Sequence, residues 1–141
     1  MNAYWIIEPQ FADPDTFCRF TFGHDNARAS INIYADISVL LGLIGLLESN
    51  KADTQFIGWP LDSTFVDDDW HKDIWLGIGF LVGKRDKDHF IKVRVCSQTE
   101  TDANYYSEIE FVLTPSETAD LCKDLKVWIT YPNSQMVWKS W

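Results

Sequence analysis

Hydrophobic and polar residues alternate with a period of two over several stretches of the chain and follow a helical period over two others. Aromatic and polar residues alternate through Phe17-Cys18-Arg19-Phe20-Thr21-Phe22, and Gly23-His24-Asp25-Asn26 supplies turn residues before a second run from Arg28 to Tyr34. This pattern predicts a β-hairpin. In its second strand Ala29, Ile31 and Ile33 share one face while Arg28, Ser30 and Asn32 share the other, as a half-buried strand requires. A short strand around Gln55 to Trp59 stops at Pro60. Alternation returns in Ile74, Leu76, Ile78, Phe80 and Val82, set against Trp75, Gly77, Gly79 and Leu81. It resumes in Ile91, Val93 and Val95 after the charged turn Gly83 to Asp88. A further strand, Tyr105 to Leu113, places Ile109, Phe111 and Leu113 inward with Glu108 and Glu110 outward.

Two helices interrupt the strands. Asp36 stands where an N-cap belongs, because its carboxylate can accept hydrogen bonds from the first free backbone N–H groups, and the helix it opens runs from Ile37 to about Glu48. Its apolar residues go nearly all the way round, which a helix tolerates when it is covered on most sides. Gly42 and Gly45 cost helix propensity there and are read as points of close packing against a sheet. Thr114-Pro115-Ser116-Glu117 has the form of a capping box with proline in the first turn. The helix that follows carries Leu121, Cys122, Leu125, Trp128 and Ile129 on one stripe. The order ββα-ββββα with short connections predicts an α+β fold: a largely antiparallel sheet with two helices packed on one face. No repeat, low-complexity tract or linker divides the chain, so residues 1–141 are read as a single domain of ordinary size.

Composition narrows the function classes. The net charge is −9, from 21 acidic and 12 basic residues, and the longest basic run is the pair Lys84-Arg85. Phosphate binding is therefore disfavoured, and with it nucleic acid and an anionic membrane surface as partners. A basic protein partner or a small molecule stays open. Cys18, Cys96 and Cys122 are odd in number and far apart, which indicates neither a disulfide framework nor a zinc cage and suits a reducing, cytoplasmic setting. The start of the sequence lacks the basic and apolar regions of a secretory signal, and the run Ile37 to Leu47 is far short of the roughly 20 residues of a membrane span. No cofactor-binding motif is present: there is no Gly-rich phosphate loop, G-x-S-x-G elbow, H-E-x-x-H or C-x-x-C.

The densest chemistry lies in Val66-Asp67-Asp68-Asp69-Trp70-His71-Lys72-Asp73. Asp67, Asp69, His71 and Asp73 would project from one side of an extended segment and could form an oxygen-rich metal site, although the spacing fits no EF-hand loop. As a docking patch, Asp67, Asp68, Asp69 and Asp73 would steer a basic partner and Trp70 would supply a desolvated anchor. An ordinary solvated loop, with Trp70 folded back over the core edge, accounts for the same residues without function. Cys96 stands near Lys92 and Arg94, cations that lower a thiol pKa, so a nucleophilic role is conceivable on pattern alone. Glu108 and Glu110 could act as paired carboxylates, but Lys92 and Arg94 repeat the same spacing one strand earlier, and cross-strand ion pairs explain all four. The three histidines fall in turns or at strand ends and are expected to be exposed.

Seven tryptophans are a clear excess for a chain of this length. Trp59, Trp75 and Trp128 are expected in the core, while Trp138 and Trp141 sit in a tail without clear period that either packs back as a last strand or presents a surface. No motif carries a family signature. In bulk properties the chain resembles the small acidic immunity proteins that bacteria encode beside secreted toxins. That resemblance implies a cytoplasmic inhibitor covering a basic toxin or nuclease through Asp67, Asp68, Asp69, Trp70 and Asp73, with neither catalysis nor metal. The alternatives are a small metal-dependent enzyme built on the same carboxylates with His71, and an adaptor or chaperone binding through the aromatic tail.

Overall fold

A computed structural model describes residues 2–10, 16–49, 53–59, 76–97 and 105–141. The elements run β1 (Ala3–Pro9), β2 (Phe17–His24), β3 (Ala27–Tyr34), α1 (Ile37–Glu48), β4 (Gln55–Trp59), β5 (Leu76–Arg85), β6 (Asp88–Ser97), β7 (Tyr105–Leu113), α2 (Pro115–Thr130) and β8 (Met136–Lys139). The fold is α+β and every strand pairing is antiparallel. The strands divide between two four-stranded sheets, ordered β3-β2-β1-β8 and β4-β5-β6-β7, where the sequence suggested one. Two strands account for the difference. Along β1 the outward residues Tyr4 and Ile6 are themselves apolar, so the alternation that announces a strand is missing, and β8 is only four residues long.

Both hairpin turns are tight. His24 pairs with Ala27 and Arg85 with Asp88, leaving Asp25-Asn26 and Asp86-Lys87 as the connecting residues. The first residue of each takes a positive φ, 47° at Asp25 and 60° at Asp86, a conformation that Asp reaches more readily than most residues. The second turn is shorter than the Gly83 to Asp88 segment expected.

Each sheet has one apolar face, and the two faces bury each other. Ala3, Trp5 and Ile7 of β1, Phe20 and Phe22 of β2, and Ile31 and Ile33 of β3 meet Ile78, Phe80 and Val82 of β5, Ile91, Val93 and Val95 of β6, and Ile109 and Phe111 of β7 in one hydrophobic cluster. Trp5 is its centre. Its ring stacks on Phe80 with centroids 5.8 Å apart, and stands edge-on to Phe22 at 5.0 Å, Phe111 at 5.8 Å and Trp138 at 6.4 Å.

The two helices pack on each other and both on the sheet β4-β5-β6-β7, α1 against β4 and β5 and α2 against β6 and β7. Helix α1 meets β4, at the edge of one sheet, and α2 meets β8, at the edge of the other, so the helical pair spans both sheets. The Asp36 cap accepts from the Val39 amide, and the capping box is complete: the Thr114 hydroxyl accepts from the Glu117 amide at 3.2 Å while Glu117 accepts from the Thr114 amide at 2.9 Å. A Cβ added at Gly42 would meet Ile57 of β4, as close packing requires, whereas Gly45 faces open space and has no such role. Among the described residues, no helix is long and apolar enough to cross a membrane.

Candidate functional site

Asp67, Asp68, Asp69, Trp70 and Asp73, together with His71 and Trp75, lie outside the described residues. Other expectations fall on described elements. Trp59 and Trp128 are buried, with indole N–H groups donating to the Tyr34 carbonyl at 3.0 Å and the Ser134 carbonyl at 2.9 Å. Trp138 is buried as well, in β8 beside Trp5, which removes it from any docking groove. Trp141 stays exposed, edge-on to Tyr4 and beneath the Lys139 ammonium.

The cross-strand charges pair as their spacing suggested, with one exchange of partners. Glu108 receives Arg94 at 2.7 Å and Lys92 at 3.5 Å, and Glu110 turns to Arg85 at 3.1 Å. Both carboxylates are thereby engaged by cations of the same sheet, as cross-strand pairing predicts. Cys96 is fully buried, which removes the accessibility a nucleophile needs. Burial pushes the thiols of Cys18 and Cys122 up to about 11, so both are protonated at neutral pH. Among the described residues, no group of three or more His, Cys, Asp or Glu side chains could hold a metal ion.

A cleft lies where the end of α1, the β5–β6 hairpin and the first half of α2 converge. It encloses about 700 Å³, within the roughly 300–1,000 Å³ usual for small-molecule sites. Its floor holds the buried side chains of Leu47, His89, Thr118 and Cys122, and its rim carries Lys84, Lys87, Lys123 and Lys126. Lys126 is matched by Glu48 at 2.9 Å. Lys84, Lys87 and Lys123 have no ion-pair partner among the described residues.

His89 departs from the exposed imidazole expected of a strand end. Paired with Lys84 on β5 and Leu113 on β7, it is 7% exposed. Burial lowers its pKa and the Lys84 ammonium lowers it further, against a hydrogen bond to the Ser49 backbone that raises it. The Thr118 hydroxyl is buried beside it without a hydrogen-bond partner among the described residues.

Four lysines and Glu48 set the charge of the cleft. The Cys122 thiol is protonated, and the carboxylate of Glu48 is engaged by Lys126. Sequence reading missed this site because its cations come from separate segments. One signal was available: Ala119, Cys122, Lys123 and Lys126 follow the i, i+3, i+4, i+7 spacing of a single helix face. The chain matches no family model, no curated protein and no solved structure.

Proposed function

We propose that this protein is a non-catalytic binding protein that covers a basic surface of a protein partner, in the manner of an immunity protein neutralising a toxin or nuclease in the cytoplasm. Asp67, Asp68, Asp69 and Asp73 supply the charge and Trp70 the anchor. The observation that carries this reading is where the acidic surplus sits. The stretch between β4 and β5 contains Asp62, Asp67, Asp68, Asp69 and Asp73 against Lys72 alone, whereas Glu48, Glu108 and Glu110 on the described elements are matched by Lys126, Arg94 and Arg85. Five acidic residues against one lysine thus fall in one connecting segment. Two protonated thiols and a fully buried third support the absence of covalent chemistry.

Two measurements test the reading. The product of an adjacent reading frame should co-purify with this protein, and replacing Asp67, Asp68, Asp69 and Asp73 together by Asn should slow association by about 10-fold or more at low salt. Trp70→Ala should cost about 2 kcal/mol of affinity with little change in on-rate. Binding that survives both changes undiminished removes the assignment of the patch. Calorimetric titration with Mg²⁺, Ca²⁺, Mn²⁺ and Zn²⁺ separates docking from metal-dependent chemistry, because a saturable metal site lowered by Asp→Asn replacement belongs to the enzymatic alternative.

A further inference from the structure

We propose that the cleft between α1, the β5–β6 hairpin and α2 is a binding site for a small organic phosphate, its phosphate held by the lysine rim and its apolar body against the floor. This is a second site, independent of the acidic docking patch, and its failure would leave that patch untouched.

Charge placement points to an anion. In a chain of net charge −9, four lysines from two distant segments surround one cavity, and three of them lack an ion pair among the described residues. Lysines not held by a carboxylate would repel one another, and a dianion at their centre removes that cost. Ammonium groups act on phosphate as point charges, so the rim needs no planar fork to recognise it. Thr118 and His89 are both buried and line the cleft beneath the lysines, so a ligand that reaches past the rim packs against them.

The helix N-terminus is not the seat of the anion. Pro115 has no N–H, the Glu117 amide is taken by Thr114 and the Thr118 amide by the Thr114 carbonyl, so recognition falls to side chains. Leu47, Ala119 and Cys122 give the cavity apolar surface that a bare inorganic ion would leave unused, which favours a phosphate ester carrying a compact apolar group.

The test is an NMR titration of the full chain with phenyl phosphate, with inorganic phosphate, benzoate and phenol as separate arms. Phenyl phosphate should saturate, weaken as salt is raised, and shift the resonances of residues 84–89 and 118–126 together with the His89 ring. It should bind about tenfold or more tightly than inorganic phosphate or benzoate, and phenol should not saturate. The exposed double variant K87A/K123A should weaken it by about tenfold with melting unchanged. Absence of saturation with phenyl phosphate, shifts confined to other regions, an equal affinity for inorganic phosphate, or indifference to K87A/K123A would each overturn the proposal.

Discussion

Trp5 and Phe80 stack across the interface between the two sheets, their rings 23° from parallel and 5.8 Å apart, each buried to within 2%. One belongs to β1 and the other to β5, so this contact joins sheets that share no backbone hydrogen-bond ladder. Trp5→Ala is expected to destabilise the fold by about 3–5 kcal/mol, through lost apolar burial and the cavity left behind. Urea unfolding measures it. A double-mutant cycle with Phe80→Leu should return a coupling of about 0.5–1.5 kcal/mol beyond area burial.

The glycines of α1 and β4 predict opposite outcomes for the same substitution. A Cβ at Gly45 meets nothing within 4 Å, and Gly45→Ala should stabilise by up to about 1 kcal/mol by favouring the helix. A Cβ at Gly58 would stand 2.7 Å from the Ile78 carbonyl oxygen and 3.0 Å from the Gly79 Cα, backbone atoms that cannot swing aside. Gly58→Ala should cost about 1–3 kcal/mol. Thermal denaturation of the two variants should therefore move the midpoint in opposite directions.

Glu108 and Glu110 differ in what their removal leaves behind. Arg94, whose side chain is 10% exposed, faces Glu108, while Arg85 opposite Glu110 is 63% exposed. Glu108→Gln should cost about 1–2 kcal/mol because a nearly buried guanidinium loses its charged acceptor, and Glu110→Gln should cost under about 0.5 kcal/mol. Equal losses in urea melts would contradict the asymmetry.

His89 adds a pH dependence with a definite sign. Its folded pKa lies below the ordinary 6.5, first through burial and then through Lys84, so the unfolded chain takes up the proton before the folded one. The contribution to stability is complete above the ordinary histidine range and is lost as pH falls through 6.5 toward the lowered value. Between about pH 7.5 and 5 the wild type should lose more stability than His89→Gln, as read from denaturation midpoints at each pH.

Local rules made much of this fold legible. Asp36, Thr114 and Glu117 act within a few residues of themselves, so both helix starts stand where the sequence placed them, and the hairpins follow from period-two alternation. What failed depends on long-range packing. β1 hid because its outward residues are apolar, and Gly45 was read as a packing point because sequence cannot distinguish the exposed turn of a helix from the covered one. The two sheets were not foreseen because alternation fixes which residues share a face and leaves open what that face meets. The cleft was missed for the same reason. Lys84 and Lys87 stand some forty residues from Lys123 and Lys126, and a net charge of −9 gives no sign that the four meet at one cleft.

β1 is flanked by β2 on one side and β8 on the other, and Ser140 engages both the amide and the carbonyl of Ala3. The second ladder closes only after more than a hundred further residues have been made. During translation, at about 5–20 residues per second, the nascent protein therefore carries Trp5 without its neighbour Trp138 until β8 leaves the ribosome. For several seconds the central indole of the core lacks one wall, an interval in which chaperone capture and aggregation compete with completion of the sheet.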